Sequence, residues 1–378
     1  MRPTLYTTLF LALFTCKNVH AQTNETLQHN GLTRDYILYV PTTYQVGQSL
    51  PLVFVLHGFT QSAQTIMDVT EFNAVAESNN FIVAYPNGVG NAWNTNSGFP
   101  GGSSADDIGY IDVLADSLTA EFGIDTTRIY SCGFSAGGFL SHRLACESPR
   151  CFAAIASVSG TMSNNASDDC APQHSTPVMQ IHGTSDIIVS YNGSIFSGIG
   201  VNDVITQWTG LLNCPTTPVT TALPDIDTGD GSTVEKQVYT PCDGSSEVVL
   251  LKVNGGGHQW PGSSAVLGGI GNTNQDIDAS QEIWNFFQSF SCGQLATSVT
   301  APSAPSVQAW PNPCTGLLHI EGLVTSTPYE LLDATGRSVR SGSIASRTAS
   351  LDMGSLDTGS YELRLLDGTG RFIRLVKD

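Results

Sequence analysis

Ser135 stands in Gly133-Phe134-Ser135-Ala136-Gly137-Gly138, between the β-prone run Arg128 to Cys132 and the helix-compatible stretch Phe139 to Ala145. Strand, tight Gly-x-Ser-x-Gly turn and helix in that order lift a serine hydroxyl clear of a sheet, at a helix N-terminus that favours developing negative charge. The chemistry this offers is nucleophilic acyl transfer. An alcohol is a weak nucleophile near neutral pH, so Ser135 requires a base within hydrogen-bond reach and an acid to orient that base. Asp186 follows the apolar run Pro177 to Ile181, and His258 follows Val248 to Val253 and the glycines Gly255, Gly256 and Gly257. Their chain order, Ser then Asp then His, suits a nucleophile elbow. Asp203 is a rival acid, but it does not follow a strand end. The backbone N–H of Ala136 should supply one half of an oxyanion hole. A residue after Leu52 to Leu56, Phe59 or alternatively Thr60, should supply the other. Trp93 and Trp260 are candidate apolar walls for an acyl group, with plain loop packing as the competing reading. His57 and His182 read as structural residues at strand ends, and His142 as an ordinary helix residue.

The elements that must position these groups alternate. Strand-like runs cover Thr33 to Pro41, Leu52 to Leu56, Phe81 to Pro86, the Ser135 strand, Phe152 to Val158, Pro177 to Ile181 and Val248 to Val253. Between them Ile108, Ile111, Leu114, Leu118 and Phe122 form one helical stripe that Gly123 should end. Asp106 reads as an N-cap, as does Asp278 ahead of a closing helix with Ile283, Trp284, Phe286 and Phe287 inward. Continuous apolar strands alternating with helices predict an α/β fold with a mostly parallel sheet covered on both faces, its chemistry at the carboxyl ends of the strands.

Before this lies a leader. Arg2, the apolar stretch Leu5 to Phe14 and Val19-His20-Ala21 have the form of a secretory signal over residues 1–21. The remaining eight cysteines form an even set able to make disulfides after export. Cys214 and Cys242 bracket a polar Pro/Gly-rich excursion and should pair; Cys146 and Cys151 are a plausible local pair. No Cys-x-x-Cys or His/Cys cluster has metal-ligand spacing, and no later run is long enough to span a membrane. Residues 22–308 hold 6 Lys+Arg against 25 Asp+Glu, which disfavours nucleic acid and anionic lipid as partners. The α/β domain should occupy 22–292, a Ser/Thr/Ala/Pro linker 293–308, and a small all-β sandwich 309–378 with short strands between Gly turns.

Five motifs fall in one order: His57-Gly58-x-x-Gln61, Asp106-Asp107-Ile108-Gly109-Tyr110, the Ser135 elbow, His182-Gly183-x-x-Asp186 and Gly256-Gly257-His258-x-Trp260-Pro261-Gly262. Together, over roughly residues 30–290, they resemble the secreted polyhydroxybutyrate depolymerase/feruloyl esterase group, akin to family 1 carbohydrate esterases. The resemblance implies a cofactor-free α/β-hydrolase esterase with Ser135, Asp186 and His258 as nucleophile, acid and base. It also implies a disulfide-bounded excursion before the His strand, in keeping with Cys214 and Cys242. Many relatives carry Asn where this chain has Ala136, a change that keeps the N–H and bears on acyl preference. Trp310-Pro311-Asn312-Pro313, Tyr329 to Arg337 and Leu375-Val376-Lys377 resemble the C-terminal sorting domain of the type IX secretion system. That implies a partner in the outer-membrane secretion machinery and a secreted or cell-surface product acting on a polymeric or oligomeric ester. The alternative from another class is a catalytically silent surface-binding protein on a hydrolase scaffold.

Overall fold

The computed structural model describes residues 22–96, 102–194, 198–265, 270–293, 308–321, 326–334, 337–344, 348–365 and 372–378. The leader and most of the linker lie outside these residues. Two compact units divide the chain, Met1–Ala296 and Thr297–Asp378.

The first unit runs β1 (Gln22–His29), β2 (Leu32–Tyr39), β3 (Leu52–Leu56), α1 (Ala63–Thr70), α2 (Phe72–Asn79), β4 (Ile82–Pro86), α3 (Asp107–Phe122), β5 (Ile129–Phe134), α4 (Ala136–Glu147), β6 (Ala154–Val158), α5 (Asn164–Asp168), β7 (Val178–Gly183), α6 (Val201–Leu211), β8 (Val219–Ala222), β9 (Thr233–Tyr239), β10 (Val248–Asn254) and α7 (Ala279–Phe287). Its ten strands form one sheet in the order β1-β2-β4-β3-β5-β6-β7-β10-β9-β8. The six from β4 to β10 pair in parallel, and the margins are antiparallel. Central strands that are apolar at every position bury both faces. Val53 and Val55 join a core with α1, α2 and α7 on one side, while Leu52, Phe54 and Leu56 join a second core with α3, α4 and α6 on the other. This is the α/β-hydrolase architecture.

The strand order reverses at β3. The chain leaves β3 for β4 on one side, then crosses back to lay β5 on the other, with Leu56 opposite Gly133. Loops leaving β3 and β5 therefore diverge over a crevice at the carboxyl edge, the usual place for a ligand in such sheets. β7 and β10 are neighbours further along, with Gly183 opposite Val253.

Helix ends follow local chemistry. Asp106 accepts from the Gly109 N–H at 2.9 Å, Gly123 closes α3 at φ +67°, and Asp278 accepts from the N–H groups of Ser280 and Gln281. The sequence pattern does not announce α1, α2, α6 or the margin strands β1, β8 and β9. β1 is polar and largely exposed, and only pairing with β2 makes it a strand.

The second unit runs β11 (Gln308–Trp310), β12 (Leu317–Glu321), β13 (Thr327–Asp333), β14 (Ser338–Ile344), β15 (Thr348–Asp352), β16 (Gly359–Leu365) and β17 (Phe372–Lys377). Antiparallel sheets β11-β12-β15 and β14-β13-β16-β17 share one core in which Leu318, Ile320 and Leu351 meet Leu331, Leu363 and Leu375. This is the small all-β sandwich.

Among the described residues, three disulfides join Cys214 to Cys242, Cys146 to Cys170 and Cys151 to Cys292. The local pair Cys146–Cys151 is thus incorrect. Cys146 is buried on α4, and the chain leaves that helix at Ser148 before Cys151, so the two thiols meet different partners. Cys132 and Cys314 are free and buried, one in each unit.

Candidate active site

The elbow is held by backbone packing. Ser135 adopts φ +53° and ψ −118°, a region a β-carbon disfavours and one that costs about 1–3 kcal/mol. What over-determines it is the approach of α4 to the sheet: a β-carbon on Gly137 would lie 2.1 Å from the Leu56 carbonyl oxygen, and one on Gly133 2.4 Å from the Gly137 carbonyl carbon. Ser135 also donates its N–H to the Val158 carbonyl at 2.8 Å. Ala136 opens α4, where first-turn N–H groups have no partner within the helix.

The loop after β3 is braced from below. His57 donates from Nδ1 to the Gly58 carbonyl at 2.7 Å and accepts at Nε2 from the Gly88 N–H at 3.0 Å. Burial pushes its pKa down to about 4, which keeps the ring neutral and its single proton on Nδ1. Thr60 donates its N–H to the Asn91 carbonyl at 2.9 Å, which commits the alternative oxyanion donor to another role. Phe59 sits at this edge, 40% exposed. The neighbouring loop is clamped by an ion pair that no sequence motif announces: Arg34 donates to Asp107 at 2.7 Å, and the other Asp107 oxygen accepts from the Asn94 N–H at 2.7 Å. Arg34 shares strand parity with the core residues Tyr36 and Leu38, a signal for a buried cation.

Asp186 and His258 meet across the ends of β7 and β10. A β-carbon on Gly183 would sit 2.3 Å from the Gly256 carbonyl oxygen, so glycine there lets the two loops touch. Asp186 Oδ1 accepts from the N–H groups of Ile188 and Val189, both at 2.8 Å, and Oδ2 accepts from His258 Nδ1 at 2.7 Å. Burial pushes the Asp186 carboxyl up, but hydrogen bonds from His182 and His258 outweigh it and hold the group well below the usual carboxylate range. An anion accepting from Nδ1 leaves His258 Nε2 as the basic atom. The His258 ring packs on Phe134, 4.8 Å between centroids, and Phe134 immediately precedes Ser135. Ser135, Asp186 and His258 are thus brought to one edge of the sheet.

Other candidates lie elsewhere. Trp93 and Trp260 are each 1% exposed. Trp93 donates to the His57 carbonyl at 2.8 Å and Trp260 to the Ser280 hydroxyl at 3.1 Å, so both pack the interior and offer no wall to solvent. Asp203 closes the start of α6 by accepting from the Gly200 N–H at 3.2 Å.

The sequence model of the family described as Esterase PHB depolymerase matches residues 34–201, and that of the Secretion system C-terminal sorting domain matches 308–376. NocK of Nocardia uniformis subsp. tsuyamanensis is 29% identical over 62% of this chain and 72% of its own length. The bifunctional acetylxylan esterase/xylanase XynS20E of Neocallimastix patriciarum is 26% identical over 75% of this chain, and feruloyl esterase B of Piromyces equi 27% over 60%. The chain spans 38% and 42% of the lengths of those two fungal proteins. The acetyl xylan esterase from Aspergillus awamori has the same fold, with a TM-score of 0.51 at 16% identity over 71% of this chain and 99% of that one. Residues 34–201 are thus similar to the PHB depolymerase esterases, and residues 308–376 to the secretion-system C-terminal sorting domain.

Proposed function

We propose that this protein is an exported serine carboxylic ester hydrolase in which Ser135 attacks the ester carbonyl, His258 takes its proton, and Asp186 orients His258. The observation that carries the reading is the 2.7 Å bond from His258 Nδ1 to Asp186 at the sheet edge that also presents the strained Ser135. As Ser135 Oγ bonds to the carbonyl carbon, its proton moves to His258 Nε2 and negative charge collects on the former carbonyl oxygen. The N–H groups of Phe59 and Ala136 receive that oxyanion. Collapse expels the alcohol, protonated by His258, and leaves an acyl-Ser135. Water, deprotonated by His258, then releases the acid.

The substrate class is an ester borne on a polymer. Feruloyl or acetyl esters of polysaccharide are supported by the names of the fungal relatives, and hydroxyalkanoate polyesters by the family description. The organisation proposed with it is a leader over 1–21, a catalytic domain over 22–292, a linker over 293–308 and a sorting domain over 309–378. The sorting domain would hand the protein to the outer-membrane secretion machinery after it has crossed the periplasm.

The test is hydrolysis of p-nitrophenyl acetate and butyrate, methyl ferulate, acetylated xylan and a hydroxybutyrate oligomer by the full chain, with Ser135→Ala alongside. Turnover abolished by that change is the expected result, and the best substrate names the class. No turnover by the folded wild type would move the reading to a binding protein on a silent scaffold.

A further inference from the structure

Behind Asp186 lies a line of buried polar side chains that the reaction as written does not use. Trp208 on α6, His142 on α4, and Gln180 and His182 on β7 are each no more than 1% exposed. Trp208 Nε1 lies 3.1 Å from His142 Nδ1, His142 Nε2 lies 3.1 Å from Gln180 Oε1, and Gln180 Nε2 lies 3.2 Å from His182 Nδ1. His182 Nε2 then faces the Val189 carbonyl at 2.8 Å and Asp186 Oδ2 at 3.4 Å.

The direction of this chain follows from its two ends. Indole N–H can only donate, so His142 Nδ1 accepts and its proton sits on Nε2, where Gln180 Oε1 receives it. At the other end His182 Nε2 faces two oxygens that can only accept, so it carries a proton. His182 Nδ1 is then the acceptor and needs a donor, which the Gln180 amide supplies. The Gln180 orientation is fixed independently, because its Nε2 also donates to the Gly160 carbonyl at 2.7 Å. Both ends require the same polarity, and the middle residue satisfies both. Burial also pushes the His142 pKa down to about 4, which suits a neutral ring with one proton.

We infer that Trp208, His142, Gln180 and His182 act as a one-way hydrogen-bond chain that keeps the His182 proton on Nε2 and thereby fixes the Asp186 carboxylate for His258. With two backbone donors on Oδ1 and two imidazoles on Oδ2, Asp186 cannot turn away from the base. Because His142 lies on α4, the same chain ties the helix that carries Ser135 to the strand that carries the acid. These four are positioning residues; none touches the ester. The inference rests on the proposed roles of Asp186 and His258.

Side-chain 15N spectra of the full-length protein at pH 7, assigned with His142→Gln and His182→Gln, read the tautomers directly. The expected result is a protonated Nε2 and bare Nδ1 for both His142 and His182. A proton on His182 Nδ1 would overturn the inference. Gln180→Glu replaces the donor facing His182 Nδ1 with an acceptor; a proton should move onto that Nδ1, and kcat should fall about tenfold or more with KM little changed. A glutamine at 182 can still present an N–H toward Asp186, so His182→Gln should keep most of kcat where His182→Leu loses it. Equal kcat in those two variants would also overturn the inference. Failure of the esterase reading looks different: Ser135→Ala would leave turnover intact while the wild-type tautomers stayed as described.

Discussion

The two halves of the site are built in opposite ways. The proposed nucleophile half is local: β5, Ser135 and α4 are contiguous over Ile129–Glu147, and their geometry comes from backbone contacts that only glycine permits. The proposed acid–base half joins residues 72 apart in sequence through a side-chain hydrogen bond. One half stores strain in a turn; the other stores order in a buried polar network. A local turn should fail by losing stability, whereas a long-range pair should fail by losing turnover in a protein that still folds.

Asp186→Asn tests that contrast most severely. It keeps the shape but presents an amide toward His258, and misdirecting the base in this way should cost about 10⁴-fold in kcat. Circular dichroism should show a folded protein. Turnover within tenfold of wild type would remove Asp186 from the orienting role. Gly137→Ala attacks the other half. Its β-carbon would meet the Leu56 carbonyl oxygen at 2.1 Å, so the strand and helix must separate. The expected loss is about 3 kcal/mol or more of stability, read from urea unfolding. An unchanged midpoint would mean that the elbow does not depend on this contact.

The third prediction is gentler and reaches both halves. His57 under the loop after β3 and His142 on α4 have pKa values lowered by burial from the ordinary 6.5 to about 4. Between those values the unfolded chain binds protons that the native protein does not. Stability should therefore fall as pH drops from about 6.5 toward 4, by up to about 1.4 kcal/mol per pH unit for each group. Asp186 works at still lower pH: its folded pKa is depressed below the ordinary 3.8, so the stability it adds is present above that value and is lost as pH falls further. Urea midpoints at pH 8, 6, 5 and 4.5 check the sign. A flat profile would show that neither histidine is buried neutral.

Much of this protein is determined by sequence alone. Strands β3 to β7 are buried on both faces, so each reads as a mainly apolar run, and the elbow needs a pattern of residue types within ten positions. Asp106, Gly123 and Asp278 announce helix ends because capping involves only the nearest backbone. Tertiary structure decided what depends on chain segments meeting. Cys151 pairs with Cys292, 141 residues away, because both lie where the closing segment returns to the start of β5; Cys292 donates its N–H to the Thr127 carbonyl there. Trp93 and Trp260 lie on loops that look free in sequence, yet surrounding elements bury both rings. Likewise the proton positions inferred for His142 and His182 follow from neighbours in space, Trp208 at one end and the Val189 carbonyl and Asp186 at the other, with Gln180 between them two residues from His182 and 38 from His142. Burial and hydrogen-bond direction are properties of neighbours in space, and a one-dimensional pattern records them only where the neighbours are also adjacent in the chain.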